Sequence, residues 1–142
     1  MKKLIALMLA MLCLLAFAAC GTQDQSAEPP AGTSAADYGD MQNVGEGAVQ
    51  FTFRVTAESE KMQFQVHTDA ETVGEALLDA ELIAGTVSMG SLMVTTVCGT
   101  TLDYNKDGAY WAFYVNSEYA ETGVSETKIT PDTVYEFTYT KA

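Results

Sequence analysis

Basic side chains, histidine and cysteine are scarce in this 142-residue sequence. It contains 7 lysines and arginines against 19 aspartates and glutamates, one histidine and three cysteines, and its formal net charge at pH 7 is −12. Neutralising the phosphates of nucleic acid requires a basic stripe, and a polybasic contact with anionic lipid requires the same residues. The composition therefore excludes nucleic acid as a partner. One histidine and three cysteines are also few for a zinc site or a histidine-centred triad. The length of the chain is that of one domain.

The first twenty residues, MKKLIALMLAMLCLLAFAAC, are typical of a secretory leader. Two lysines precede an apolar run from Leu4 to Ala19, and small residues then lead to a cysteine. The run is shorter than the roughly 20 apolar residues that a membrane span needs. Its ending, Phe17-Ala-Ala-Cys20, resembles the bacterial lipobox. This resemblance implies that residues 1–19 are a lipoprotein signal peptide and that Cys20 receives a diacylglycerol group.

A lipidated Cys20 predicts a location at the bacterial cell membrane, held by its lipid anchor on the extracytoplasmic side. A simple secreted protein and an uncleaved anchor are the alternatives. After removal of residues 1–19 only Cys20 and Cys98 remain, so no disulfide within the mature chain is expected.

Residues 20–48 are poor in large apolar side chains and rich in glycine, proline and acids. Such a segment cannot bury enough surface to offset its ordering entropy. We therefore predict a lipidated cysteine followed by a disordered acidic linker over residues 20–48, and a folded domain over residues 49–142. A short apolar patch at Asp40–Val44 could pack on the edge of that domain.

The sequence of the folded part predicts five strands and one helix. Apolar side chains alternate with polar ones from Val49 to Val55 and again from Met62 to Val66, as in a hairpin. Thr72-Val-Gly-Glu75 is a capping box that starts a helix, and Gly85 is a plausible stop. Three later segments are typical of strands: Leu92–Val97, Ala109–Asn116 and Val134–Thr140. The order ββαβββ favours an α+β fold, a β-grasp-like mixed sheet with one helix packed on it.

Catalytic residues are not evident. His67, the only histidine, falls on the polar phase of its strand, and no serine lies in a nucleophile-elbow motif. Cys98 has no second candidate base, so a small buried side chain is the simpler interpretation. The sequence therefore predicts a protein that is not an enzyme.

Asp103, Asn105 and Asp107, followed by Gly108, match the start of an EF-hand calcium loop. The position that needs a bidentate acid is Tyr114, and a strand follows instead of a helix. Residues of these types also form hairpin turns without any metal. Weak calcium binding and a plain turn are therefore both open, and the plain turn is favoured.

The strongest chemical feature is the aromatic stretch Tyr110-Trp-Ala-Phe-Tyr-Val115. In a strand, Trp111 and Phe113 face one way and Tyr110 and Tyr114 the other. One set must be core, and the other is either covered or forms an exposed platform for a flat, partly apolar ligand.

Five ordered segments together resemble the transcobalamin-C-terminal-like domain of bacterial surface lipoproteins, a domain of unknown function. They are Thr72–Leu77, Met93–Gly99, Tyr110–Asn116, Glu118–Val124 and Val134–Tyr139. That domain is similar to the β-domain of the animal cobalamin carriers, which closes over one face of the corrinoid.

The resemblance implies cobalamin or a related planar ligand, bound by Met93, Tyr110, Trp111 and Tyr119 without catalysis. Cys98 departs from the usual asparagine or aspartate of the family. The alternative is an interaction module of the cell envelope, which binds a protein or a surface polymer and no small molecule.

Overall fold

The computed structural model describes residues 37–142. The predicted signal peptide, the lipidated Cys20 and the first part of the predicted linker lie outside the described residues. The strands and helices in chain order are β1 (Gln42–Gly45), β2 (Val49–Thr56), β3 (Lys61–Thr68), α1 (Val73–Asp79), β4 (Ile83–Ser88), β5 (Ser91–Val97), β6 (Thr100–Thr101), α2 (Tyr104–Asp107), β7 (Ala109–Val115), β8 (Glu118–Tyr119) and β9 (Val134–Lys141).

Residues 37–142 form two sheets, and α1 packs with them around one core. The larger sheet is mixed and has the order β1-β3-β2-β9-β7-β8, while β4, β5 and β6 form a separate antiparallel sheet. The predicted α+β class is confirmed, with a helix packed on a mixed sheet. The five predicted strands occur in the expected order, and four shorter strands accompany them.

The predicted hairpin is the pair β2 and β3, which run antiparallel with Phe53 opposite Phe64. Every second residue of β2 from Phe51 to Val55 is fully buried, as the alternation predicted. Helix α1 begins at the predicted capping box, in which the Thr72 hydroxyl accepts from the Glu75 amide at 3.3 Å and the Glu75 carboxylate accepts from the Thr72 amide at 3.4 Å. The helix therefore starts where the sequence indicates.

The end of the helix and the place of β5 differ from the prediction. The helix ends at Asp79, and Glu81 has a φ of 57°, so the chain turns well before Gly85. Gly85 lies inside β4, at an irregularity in the pairing with β5. The β4–β5 hairpin is therefore a second sheet, and β5 does not join the mixed sheet as expected.

The predicted linker boundary is also corrected, because residues 42–45 form β1. This strand pairs in parallel with β3, with Val44 opposite Val66. Tyr38 is almost fully buried on the face of the mixed sheet that α1 does not cover, and its hydroxyl donates to Glu136 at 2.9 Å. Burial is the main cause that raises the pKa of Tyr38. The ordered domain thus begins before residue 49, because tertiary pairing orders a segment with little propensity of its own.

The core is dominated by aromatic rings from β2, β7 and β9. Phe137 lies 5.0 Å from Phe113 and 6.2 Å from Phe53 between ring centroids, and Phe51 meets Tyr135 edge to face at 5.2 Å. Such pairs add to the stabilisation that burial alone gives. Among residues 37–142, neither helix has the length and apolar character needed to cross a membrane.

Candidate ligand-binding cleft

A cleft of about 350 Å³ opens where β5 of the smaller sheet meets β7 of the larger sheet. The loop that follows β8 closes one side of it. The lining residues come from five parts of the chain: Leu92, Val94, Tyr110, Trp111, Phe113, Tyr119, Ala120, Glu121, Thr122, Gly123, Val124 and Phe137. The floor is mostly apolar and aromatic, and polar groups are gathered in the loop, which is the usual character of a small-molecule site.

Strand alternation explains how β7 contributes. Trp111 and Phe113 are buried toward the core, and Tyr110 and Tyr114 are half-buried on the alternate positions. Trp111 is 6% exposed, and its Nε1 has no hydrogen-bond partner. A buried N–H group without a hydrogen-bond partner lowers the free energy of unfolding. The aromatic stretch is therefore neither fully sealed nor a freely exposed platform, and it forms one wall of a groove.

The loop after β8 is held firmly by backbone contacts on two sides. The Ala120 amide donates to the Phe113 carbonyl at 3.0 Å, and the Gly74 amide at the start of α1 donates to the Val124 carbonyl at 2.9 Å. On the other side, the Leu92 amide donates to the Ser125 hydroxyl at 3.1 Å. These bonds attach the loop to both α1 and β5.

The rim carries negative charge. Glu121 is exposed and lines the cleft, and Glu126, also exposed, accepts a hydrogen bond from the Ser91 hydroxyl on β5. No basic residue lines the cleft. Carboxylates at the rim favour a ligand that offers hydrogen-bond donors or positive charge and disfavour an anion.

Three of the four predicted binding residues meet in this cleft. Tyr110, Trp111 and Tyr119 line it, whereas Met93 is 60% exposed and does not. Its neighbours on either side, Leu92 and Val94, line the cleft instead. Side chains alternate along β5, so the neighbours of Met93 take the inward direction.

Sequence reasoning missed Leu92, Val94 and Phe137 as lining residues. For Leu92 and Val94 the sequence does hold a signal. Neighbours along a strand point to opposite faces, so these two residues lie on the face opposite to Met93. For Phe137 no local signal exists, because its place depends on the pairing of β7 with β9, which sets Phe113 opposite Phe137.

The calcium-like segment is a single helical turn, α2. Asp103 caps it by accepting from the amides of Asn105 and Lys106 at 2.9 and 3.2 Å, and the Asp107 carboxylate accepts from the Asp103 amide at 2.7 Å. The hydrogen bond from the Lys106 amide is the main cause that lowers the pKa of Asp103. These carboxylate oxygens are occupied by the turn itself, which favours the plain-turn interpretation. Within the described residues, no group of three or more histidine, cysteine or acidic side chains could hold a metal ion.

Cys98 lies in the turn between β5 and β6 and is half-buried, with a free thiol. Burial raises the pKa of this thiol to about 11. A thiol with so high a pKa is a poor nucleophile at neutral pH, because the thiolate is the reactive form. Cys98 is therefore less buried than expected, although its side chain packs against the core. His67 is half-buried on β3, on the face opposite the core.

Several solved structures share the fold, and two of them are described here. A protein from Ruminococcus gnavus, described as a candidate metal-binding protein, is 25% identical with a TM-score of 0.63, over 67% of this chain and 99% of that one. Haptocorrin in complex with Cbi is 16% identical with a TM-score of 0.52, over 66% of this chain. The match spans only 25% of haptocorrin. Neither structure is described as an enzyme.

No curated protein matches the sequence. A family model, by contrast, matches residues 70–141, which are half of the chain and include α1, all of the smaller sheet and the cleft. The chain therefore belongs to the family described as domain of unknown function DUF4430.

Proposed function

We propose that this chain is a lipoprotein of the bacterial cell envelope whose domain binds cobalamin or a related planar ligand in the cleft, without catalysis. The observation that carries the proposal is the aromatic cleft beside Tyr110, Trp111 and Tyr119. The fold shared with haptocorrin in complex with Cbi supports the ligand class.

The size of the cleft limits how the ligand would sit. A volume of about 350 Å³ lies at the low end of small-molecule sites. A corrinoid is larger than this, so only one edge or face of it would contact the protein. Haptocorrin is about four times the matched length, and this chain has no counterpart among its described residues for the remainder. We therefore expect weak binding, with a Kd in the range of about 1–100 μM.

The polar groups at the rim agree with this ligand class. The amide side chains around a corrin ring donate hydrogen bonds, and Glu121 offers an exposed carboxylate to accept them. The apolar floor formed by Leu92 and Val94 with Trp111 would cover the ring itself. Burial of apolar surface supplies the affinity, and the rim orients the ligand.

Binding is tested by titrating cyanocobalamin into a chain that starts at residue 20 and carries Cys20→Ser to keep it free of lipid. Trp111 is the only tryptophan, so its fluorescence reports on the cleft directly. We expect saturable quenching after correction for absorbance by the ligand. Equilibrium dialysis of Tyr119→Ala should show affinity weakened about fivefold, because a stacking aromatic contributes about 1 kcal/mol.

Leu78→Ala is the control for Tyr119→Ala. Leu78 on α1 also has a large exposed side chain, 42% against 63% for Tyr119, but only Tyr119 lines the cleft. Equal losses in the two variants, or no quenching up to high micromolar cyanocobalamin, would remove the cleft as the site.

The lipid anchor is tested in bacterial cells that express the full chain. Incorporation of radiolabelled palmitate should be lost in Cys20→Ser and kept in Cys13→Ser, because only Cys20 follows two small residues. Globomycin should cause the uncut precursor to accumulate. Labelling that survives Cys20→Ser would refute the lipoprotein assignment.

A further inference from the structure

Two carboxylates lie at one end of the cleft without a basic partner. Glu121 and Gly123 line the cleft. The carboxylate of Glu126 lies next to Gly123, because a Cβ atom built there would be 3.9 Å from Oε2 of Glu126. The two ion pairs that the described residues form involve other acids. The negative charge at this end of the cleft is therefore not balanced by a basic side chain of the described part of the chain.

Aromatic rings form the adjoining wall of the same cleft. Tyr110, Trp111 and Tyr119 line it, and Tyr119 is 63% exposed. An aromatic ring attracts a cation that lies over its face within about 6 Å. Trp111 is 6% exposed, and its Nε1 has no hydrogen-bond partner. A buried donor left unpaired in the wall of a cleft indicates that a ligand completes this site.

The charge of the whole chain acts in the same direction. With 19 acidic and 7 basic residues, the formal net charge is −12. Such a field concentrates cations at an acidic cleft and repels anions. A metal ion is not the cation, because residues 37–142 hold no group of three or more histidine, cysteine or acidic side chains that could bind one. The apolar floor formed by Leu92 and Val94 instead requires an organic body.

We propose that the cleft selects a small organic cation, whose flat apolar body lies against the aromatic wall and whose positive charge lies near Glu121 and Glu126. This inference rests on the proposed binding function of the cleft and adds positive charge as the feature that it selects. A neutral ligand of the same shape gains no charge attraction from the two carboxylates, and an anion is repelled by them. Among corrinoids, a cationic form that lacks the nucleotide phosphate is therefore favoured over cyanocobalamin, which carries an anionic phosphodiester.

Three probes that share one flat body and differ in charge test the proposal: 1-pyrenemethylammonium, 1-pyrenemethanol and 1-pyrenecarboxylate. They are titrated into the chain that starts at residue 20 and carries Cys20→Ser. Pyrene absorbs where tryptophan emits, so energy transfer from Trp111, the only tryptophan, shows that a probe lies near the cleft.

The affinities should follow the charge of the probe. At about 0.01 M salt we expect the cation to bind about tenfold more tightly than the neutral probe, and the anion to bind most weakly. At about 1 M salt, where the Debye length is about 3 Å, the three affinities should converge.

Removal of the two charges provides the second arm. Glu121→Gln together with Glu126→Gln keeps the size of both side chains and should reduce the preference for the cation to less than about twofold. Glu58→Gln together with Glu60→Gln is the matched control, because it changes the net charge equally in the exposed β2–β3 turn and outside the cleft. The control should keep the preference. Absence of binding by the cationic probe, equal affinities of the three probes in the unchanged chain, or equal loss of the preference in both double variants would overturn the proposal.

Corrinoids separate this proposal from the proposed function. Aquacyanocobinamide, a cation without the phosphate, should bind more tightly than cyanocobalamin under the same conditions. If both corrinoids bind equally and the pyrene probes also bind equally, charge selection is wrong and corrinoid binding stands. If neither corrinoid binds while the cationic pyrene does, charge selection stands and a corrinoid is not the ligand.

Discussion

Replacement of Phe137 by alanine is expected to lower the free energy of unfolding by about 3–5 kcal/mol. Phe137 is 2% exposed and joins the rings of Phe53 and Phe113 at the centre of the core. Removal of its ring takes away buried apolar contact and leaves a cavity that the surrounding strands cannot close. The melting temperature should fall by more than about 10 °C, because 1 kcal/mol shifts it by several degrees in a domain of this size.

Phe137→Leu is the matched control, since it keeps most of the volume and should cost about 1 kcal/mol. Urea unfolding followed by circular dichroism measures both variants. Phe137 also lines the cleft, so the alanine variant should lose ligand affinity at temperatures where it stays folded. A stability loss below about 1 kcal/mol in Phe137→Ala would show that the rings do not form a single packed cluster.

Replacement of Gly85 by alanine is expected to lower the free energy of unfolding by about 3 kcal/mol, because the new side chain causes a steric clash. A Cβ atom at this position would lie 1.9 Å from the carbonyl oxygen of Met93 and 2.8 Å from its carbon. Both atoms belong to the backbone of β5, so β4 and β5 would have to separate. Because Val94 follows Met93 and lines the cleft, the emission spectrum of Trp111 should shift as well.

Gly90→Ala separates this steric effect from the general cost of losing a glycine. Gly90 has a φ of 86°, and a Cβ atom there would meet nothing within 4 Å. Its replacement should lower the free energy of unfolding by about 1–2 kcal/mol, because alanine disfavours a positive φ. The emission spectrum of Trp111 should stay unchanged. Thermal unfolding measures both variants. Equal losses with unchanged spectra would contradict the close approach of the two strands at Gly85.

Local patterns predicted the parts of the fold that local forces determine. The capping box of α1 and the alternation in β2 and β3 each involve residues within one element, and the structure has them where expected. Asn116 and Ser117 form the turn between β7 and β8, with φ values of 48° and 68°. Short side chains with some tolerance for positive φ suit such a turn between β7 and β8.

The elements that the sequence did not predict depend on distant contacts. Strand β1 has only four residues and is ordered by its pairing with β3 and by the burial of Tyr38. In β4, the residues from Ile83 to Ser88 have no clear period, so the end of a helix was as plausible as a strand. Its conformation follows from the pairing with β5, which a single sequence does not reveal.

The candidate site was predicted in part for the same reason. The aromatic stretch of β7 identified Tyr110 and Trp111, because such a run of rings is conspicuous in any strand. The opposite wall of the cleft comes from β5. It could be predicted only with the knowledge that β5 belongs to a separate sheet. The resemblance implies Met93, whereas Leu92 and Val94 line the cleft.

The burial of Tyr38 has a geometric consequence for how the domain is held. Its hydroxyl reaches Glu136 and its ring lies 4.9 Å from the Arg54 guanidinium, so the polypeptide enters the domain across the sheet surface that turns away from α1. The cleft opens on the surface that carries α1, near the far strand of the same sheet. A force acting through residue 37 would therefore be transmitted first to β2 and β9, through the face of the larger sheet opposite the cleft.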